Sequence, residues 1–205
     1  MIFNRRNQWF LSYQLIDRKN PVSFKSLKKL HPPKDRMWAD PFPLKYNNEY
    51  HIFFEELYFG KKGHISAITI DSDGIVSDSV KIIDEDIHMS YPMVFSHNDN
   101  YYMIPETVES SSIRLYKSTK FPYEWTHVLD IAKNIKAVDS SVIFHNGYWL
   151  LVTSVNNQIK FFKTNNLDDS WQSLDLKAES NGNVRGAGNF FINKQKIYRP
   201  TQISK

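Results

Sequence analysis

The feature that most constrains the fold of this chain is a long-period repeat. Four stretches align without internal gaps, and their starts lie 51, 48 and 49 residues apart, at 40–55, 91–106, 139–154 and 188–203. Each has an apolar run, a polar turn and a second run that opens near an aromatic residue; the fourth match is the weakest, because its turn is Asn-Lys-Gln-Lys. The pattern predicts a β-hairpin with a loop of four or five residues in each stretch.

Strand-like runs also recur between the hairpins. One run follows each of the first three hairpins and another comes after it, at 64–70 and 80–83, 113–117 and 125–129, and 159–163 and 171–176. Each repeat therefore contains four short strands, which is typical of a propeller blade. A β-sandwich gives no reason for a fixed spacing. We therefore predict an all-β fold, a β-propeller of four-stranded antiparallel blades.

We expect residues 1–205 to form a single propeller domain. Three complete blades would lie at about 40–83, 91–129 and 139–176, and a partial fourth blade at 188–203. N-terminal strands within 8–30 would complete the ring. Propellers that close in this way leave no open sheet edge. The other possibility is that the chain is a truncated piece of a larger ring.

Composition supports this fold class and excludes several kinds of site. Aromatic residues make up 15% of the chain, an excess that favours sheet over helix. The absence of cysteine excludes disulfides, thiolate metal sites and cysteine nucleophiles, and it is compatible with the cytoplasmic location that we expect. No histidine spacing indicates a metal site and no glycine-rich loop indicates a phosphate site, so we expect no metal and no cofactor.

Charge and hydropathy limit the partners. The net charge of +4 is spread along the chain, which gives no reason to expect a nucleic-acid partner. No apolar run is long enough to span a membrane, and the N-terminus lacks the apolar core of a secretory signal.

Pairing each hairpin about its turn predicts an acidic site at one end of the central channel. Asp40 falls opposite Glu55, and Tyr91 falls opposite Glu106. Because innermost strands start at the same end of the channel, four carboxylates should converge there, with Glu56 and His88 nearby: Asp40, Glu55, Glu106 and Asp139. Aromatic residues expected beside them, as faces for a sugar ring, are Trp38, Tyr91 and Trp149. Clustered carboxylates suit general acid and base chemistry, although acidic residues at strand ends can also simply be exposed or cap turns.

Six short motifs resemble those of a known family. They are WADPF at 38–42, GHIS at 63–66, HMSYP at 88–92, IPE at 104–106, FPYEW at 121–125 and YRPTQ at 198–202. Their order is similar to that in five-bladed propellers of the glycoside hydrolase family 43 type. They are most similar to the N-terminal propeller domain of glucosamine inositolphosphorylceramide transferase and of related bacterial polysaccharide-synthesis proteins. The resemblance implies a five-bladed ring, so we expect this chain to lack the last blade.

The resemblance also implies roles for individual residues. In the hydrolases the first-blade Asp is the general base and the third-blade Asp positions substrate and tunes the acid; Asp40 and Asp139 match these places. The hydrolases have their general acid, a Glu, at the start of the fourth blade, where this chain has no carboxylate between Arg185 and Gly188. Glu106 could substitute for it from the second blade.

Two arginines near the place of the missing acid leave two alternatives open. Arg185 and Arg199 either bind an anionic group, such as a phosphate or a uronate, or pair with the acidic residues.

The expected function is that of a carbohydrate-active domain acting in or beside glycosyl transfer during surface polysaccharide or glycolipid synthesis. Its expected partners are a glycan or glycolipid and a glycosyltransferase domain or protein. The alternatives are a non-catalytic glycan-binding module, a family 43-type glycoside hydrolase or an inactive fragment.

Overall fold

The computed structural model describes residues 8–16, 23–178 and 184–203. Within these ranges the chain is almost entirely β-structure, with two short 3-10 helices at Phe24–Ser26 and Val108–Ser110. The first two strands, β1 (Leu11–Tyr13) and β2 (Lys28–Leu30), pair antiparallel with each other. In the described residues, no helix is long and apolar enough to cross a membrane.

Three four-stranded antiparallel sheets follow. Blade 1 consists of β3 (Arg36–Tyr46), β4 (Glu49–Tyr58), β5 (Gly63–Ile70) and β6 (Val80–Ile83). Blade 2 consists of β7 (Ser90–His97), β8 (Asn100–Glu106), β9 (Ser112–Lys120) and β10 (Glu124–Lys133). Blade 3 consists of β11 (Val138–His145), β12 (Tyr148–Val155), β13 (Gln158–Thr164) and β14 (Gln172–Leu174). The predicted all-β propeller of four-stranded antiparallel blades is confirmed.

The first strand of each blade is the innermost one. In each sheet the strands lie in chain order, and β7 packs against both β3 and β11. The central core is continuous across the three blades and includes fully buried Phe53, Met103, Leu115 and Leu151. A smaller outer core lies on the other face of blade 1 and joins Leu11 of β1 to five residues of that blade: Trp38, Ile52, Phe54, Ile68 and Ile70.

The turns of the innermost hairpins are shorter than predicted. Tyr46 pairs directly with Glu49, so only Asn47 and Asn48 form the loop, with φ of 47° and 64°. The corresponding turns of blades 2 and 3 also have two residues, both with positive φ. Such turns match the twist of the flanking strands and favour Asn, Asp and Gly. The predicted loops of four or five residues are therefore wrong.

The fourth hairpin is short and poorly covered. It consists of β15 (Phe191–Asn193) and β16 (Lys196–Tyr198), and the side chains of Phe191 and Ile192 are 52% and 61% exposed. Among the described residues, β15 pairs only with β16 and β1 pairs only with β2. Closure of the ring by the N-terminal strands, and a single domain over 1–205, remain predictions.

We predict that the three blades unfold as one unit because they share the central core. Leu115→Ala, which truncates a fully buried side chain of blade 2, should lower the free energy of unfolding by about 2–5 kcal/mol. Val128→Ala, in the same blade but 39% exposed, should change it by about 0.5 kcal/mol or less. Urea unfolding followed by tryptophan fluorescence and by circular dichroism should give coincident transitions. Separate transitions would contradict a single cooperative unit.

Candidate functional site

Each of the three innermost strands carries a β-bulge at the same place. In β3, Ala39 lies opposite Glu55 whereas Phe42 lies opposite Phe53, so β3 has one residue more than its partner. The same offset occurs in β7 and β11. The predicted pairing of Asp40 with Glu55 is therefore wrong by one residue, and so are the equivalent pairings in the other two blades.

A residue with left-handed backbone occupies each bulge. The φ angle is 50° at Asp40, 45° at Tyr91 and 52° at Asp139, and Gly188, at the equivalent place in the fourth stretch, has a φ of 130°. This conformation costs a non-glycine residue about 1–2 kcal/mol. Strained residues and bulges concentrate beside functional sites, where they redirect side chains.

Four carboxylates lie near one another at this end of the blades; we call them the acidic cluster: Asp40, Glu55, Glu106 and Asp139. They are close enough to influence one another electrostatically. A direct contact within the cluster is the hydrogen bond from the Asp139 backbone N–H to Glu106 Oε2, 3.1 Å long. Asp139 is 1% exposed, Glu55 is 7% exposed, and Asp40 and Glu106 are half-buried.

Arg185 and Arg199 are engaged by blade 3. Arg185 forms a bidentate pair with Asp139, with Nε 2.6 Å from Oδ2 and Nη2 3.0 Å from Oδ1. Arg199 Nη1 donates to the backbone oxygen of Val184, in its own segment, at 2.9 Å, and Arg199 Nη2 lies 3.5 Å from the backbone oxygen of Asp139 in blade 3. The two alternatives for these arginines were binding of an anionic group and pairing with the acidic residues, and Arg185 pairs with an acidic residue. Both arginines fasten the fourth stretch to the third blade.

Burial and mutual repulsion raise the pKa values of three carboxyl groups of the cluster. Burial, together with the charges of Asp40 and Glu106, raises the pKa of Glu55 to about 7. Burial also raises the pKa of Glu106 to about 7, against the hydrogen bond from Asp139 N–H. Burial and the Asp139 charge raise the pKa of Asp40. The cluster can therefore hold protons near neutral pH, as a site for acid and base chemistry requires.

Glu56 lies outside the cluster, on the opposite face of β4. Its carboxylate accepts hydrogen bonds from Trp38 Nε1 at 2.9 Å, Ser66 Oγ at 2.8 Å and Arg36 Nη1 at 3.2 Å. Burial acts to raise the pKa of Glu56, but these donors and His64 hold it well below its usual range. The expectation that Glu56 joins the acidic site is wrong, because side chains alternate along a strand.

The three predicted aromatic faces have different environments. Trp38 borders the cleft but is 8% exposed and packs on Phe54, with ring centroids 5.0 Å apart. Tyr91 is 2% exposed, and its hydroxyl accepts a hydrogen bond from Gly188 N–H at 2.8 Å. Its buried ring gives a sugar little surface on which to stack, contrary to the prediction.

Trp149 does not lie near the acidic cluster. It pairs with Phe144 beside the two-residue turn, at the far end of the hairpin from Asp139. Its ring is 4% exposed and packs edge-on against His97, with centroids 5.0 Å apart. The prediction that Trp149 is a stacking face at the site is wrong, because the residue that opens the second strand lies at the turn end.

A cleft of about 630 Å³ opens beside the cluster. Its lining includes Asp40, Glu55, Arg185 and Gln202, together with Trp9 and Phe10 from the N-terminal segment. The volume is in the range of small-molecule sites. Within residues 8–16, 23–178 and 184–203, no group of three His, Asp or Glu side chains could hold a metal ion.

The sequence did not predict that two positions at the site need glycine. A Cβ on Gly63 would lie 2.7 Å from Glu55 Oε1 and 2.8 Å from His88 Cε1. A Cβ on Gly186 would lie 2.7 Å from the Tyr91 hydroxyl oxygen and 2.9 Å from the Asp139 backbone oxygen. Both positions therefore require glycine, and only the three-dimensional approach of distant segments reveals this.

We predict that stability falls as the pH rises from 4.5 to about 7 and levels off above that range. Between pH 4.5 and about 7, folded Glu55 and Glu106 keep protons that the unfolded chain has released. The free energy of unfolding therefore decreases as the pH rises across this interval. Each group should cost on the order of 1–3 kcal/mol by pH 8. Glu55→Gln and Glu106→Gln mimic the protonated forms, so each should raise the free energy of unfolding at pH 8 and change it little at pH 5. Urea titrations at both pH values would measure this; equal effects at the two would contradict the prediction.

Solved structures of carbohydrate-active enzymes share this fold. The exo-β-1,3-galactanase of Phanerochaete chrysosporium with galactose matches with a TM-score of 0.67 and 14% identity, over 82% of this chain and 42% of that chain. The exo-β-1,3-galactanase of Clostridium thermocellum matches with a TM-score of 0.62 and 17% identity, over 75% and 38%. A family 117 glycoside hydrolase of Zobellia galactanivorans matches with a TM-score of 0.60 and 11% identity, over 82% and 61%. At such identities the likeness supports the propeller fold alone, and the number of blades remains a prediction.

Sequence comparison identifies the family. The family described as "Glucosamine inositolphosphorylceramide transferase 1, N-terminal" matches residues 19–205. Glucosamine inositolphosphorylceramide transferase 1 of Oryza sativa subsp. japonica is 29% identical over 178 residues, which cover 80% of this chain and 24% of that protein. The Arabidopsis thaliana protein of the same name is 29% identical over 178 residues, or 80% and 23%. The chain thus spans about a quarter of the length of these relatives. Because the match extends over most of its residues, the chain belongs to the family of glucosamine inositolphosphorylceramide transferase 1 N-terminal domains.

Proposed function

We propose that this propeller domain binds the sugar of an acceptor glycan or glycolipid and acts in or beside glycosyl transfer during surface polysaccharide or glycolipid synthesis. The observation that carries the proposal is the acidic cluster at one end of the blades, two of whose members, Asp40 and Asp139, lie on strained bulges. Family membership supports a role in carbohydrate chemistry. A partner glycosyltransferase domain or protein would supply the transfer step.

The charge of the cluster favours one part of a transfer reaction over another. Arg185 is already paired with Asp139, so three carboxyl groups remain for a ligand: Asp40, Glu55 and Glu106. A nucleotide-linked donor brings phosphates, which these groups would repel. A sugar acceptor brings hydroxyl groups, which carboxylates bind as hydrogen-bond acceptors. The cluster therefore suits the acceptor.

An amino sugar fits this environment better than a neutral one. The names of the plant relatives include glucosamine, whose free amine carries positive charge in acidic to neutral solution. Hydrogen bonds between an ammonium and a carboxylate are about twice as strong as neutral ones. We propose that the site prefers a free amino sugar to its N-acetylated form.

Hydrolysis of the family 43 type is the weaker alternative. The general acid of those hydrolases would lie where this chain has Arg185, and an inverting hydrolase needs a second carboxyl group to protonate the leaving oxygen. Asp40 as base, Asp139 as positioning group and Glu106 as substitute acid stay proposals for a catalytic version of the site. Assays with nucleotide-sugar donors and oligosaccharide acceptors, set beside hydrolysis assays, separate these possibilities from a non-catalytic binding module.

We predict that glycan binding depends on Asp40. A glycan array identifies retained sugars, and calorimetry near pH 7 then compares the β-1,4-linked glucosamine disaccharide with its N-acetylated form. The free amino sugar should bind more tightly. Asp40→Asn should weaken its binding about tenfold or more, as expected for the loss of a charged hydrogen-bond acceptor, and Asp139→Asn should also weaken it.

The matched control is Asp78→Asn, which changes an exposed aspartate in blade 1 outside the cluster. Its affinity should equal that of the wild type, and all variants should keep the wild-type circular dichroism. Retention of no glycan on the array, or equal affinities for wild type and Asp40→Asn, would refute the proposed function.

A further inference from the structure

We propose that Glu55 makes the direct contact with a hydroxyl or amine group of the bound sugar, and that His88 is the positioning residue that holds Glu55 for it. This inference rests on the proposed function and assigns the contact within the same site. It is carried by three pieces of geometry: the His88–Glu55 contact, the fixed tautomer of His88 and the absence of a side chain at Gly63.

The imidazole of His88 faces Glu55 with its hydrogen-bearing nitrogen. The backbone N–H of Gly63 donates to His88 Nδ1 at 3.0 Å, so Nδ1 is an acceptor and the ring hydrogen of the neutral form is on Nε2. His88 Nε2 lies 3.4 Å from Glu55 Oε1. This distance is longer than that of most hydrogen bonds, and it places one oxygen of Glu55 beside the hydrogen-bearing nitrogen of the ring.

Gly63 brings these two side chains together. It accepts a hydrogen bond from Met89 N–H at 2.9 Å as well as donating to His88, so both of its backbone groups hold the 88–89 segment against the start of β5. A Cβ at this position would lie within 2.8 Å of both Glu55 and His88. The contact therefore exists only because position 63 has no side chain.

Glu55 is the buried member of the cluster that remains available to a ligand. Asp139 is taken up by Arg185, and Glu106 accepts the Asp139 backbone N–H. Within the described parts of the chain, Glu55 Oε2 has no hydrogen-bond partner, although Glu55 lines the cleft. The raised pKa of Glu55, about 7, agrees with a group that exchanges a proton at neutral pH.

The charges around the pair are of both signs. On the Glu55 side, Asp40 and Glu106 oppose ionisation of the carboxyl group. On the His88 side, Glu109 accepts the His88 backbone N–H, and Lys62 Nζ lies 2.7 Å from Glu109 Oε2. Removal of the imidazole should therefore leave Glu55 facing mainly negative neighbours, which favours its protonated form.

The test is a carbon-13 NMR titration of the Glu55 carboxyl group in the ligand-free protein. His88→Ala removes the donor and should move the titration midpoint upward. His88→Gln provides an amide donor near the position of Nε2 and should bring the midpoint back toward the wild-type value. His127→Ala removes a histidine at the outer strand of blade 2 and should leave the midpoint unchanged. An unchanged midpoint in His88→Ala, or equal shifts in His88→Ala and His88→Gln, would overturn the positioning role.

Calorimetry with the β-1,4-linked glucosamine disaccharide tests the ligand contact. Glu55→Gln and His88→Ala should each weaken binding about tenfold, and His88→Gln should lose less. Wild-type affinity in Glu55→Gln would overturn the contact. If the wild type bound no glycan at all, the proposed function and the ligand contact would both fall, whereas the titration in free protein would still decide whether His88 positions Glu55.

Discussion

Side chains along a β-strand alternate between the two faces of the sheet, and one extra residue reverses that alternation for everything beyond it. In β3 the extra residue lies between Trp38 and Phe42. Trp38 therefore faces the outer core, whereas Phe42, four positions later, packs in the central core. The bulge lets one strand serve both faces of blade 1, and Asp40, at the reversal, lines the cleft at the end of the blade. The same construction at Tyr91 and Asp139 makes the site a property of the repeat.

Two adjacent residues of β4 show how local surroundings decide the chemistry of identical side chains. Glu56 is surrounded by donors and stays ionised, which ties Trp38 and Ser66 into the blade. Glu55 points to the other face, where burial and like charges raise its pKa to about 7. Neighbouring carboxyl groups with opposite pKa shifts mark a division of roles between structure and chemistry. The destabilised group is the one at the cleft, as in sites where stability is traded for function.

The repeat made much of this fold predictable. Spacing and apolar runs located the strands of three blades, because strands buried on both faces leave continuous apolar runs that recur in the sequence. β6, for example, has the predicted bounds 80–83. The same spacing predicted that Asp40, Glu106 and Asp139 lie at one end of the blades. Pairing failed by one residue because a bulge depends on backbone strain, which no hydrophobic pattern records. The partner of Arg185 and the need for glycine at position 63 could not be predicted for another reason. Both depend on contacts between segments that are far apart in the chain.

The charge of the site depends on the segment that leads into the fourth hairpin. Arg185 balances the charge of Asp139, yet it belongs to a stretch whose strands are short and whose apolar side chains are largely exposed. Segments with so little buried surface open at a small fraction of the cost of global unfolding. An opening of this segment would withdraw the Arg185 cation from Asp139 and so make the net charge of the site more negative by one unit. The charge of the site is therefore coupled to the local stability of the segment that carries Arg185.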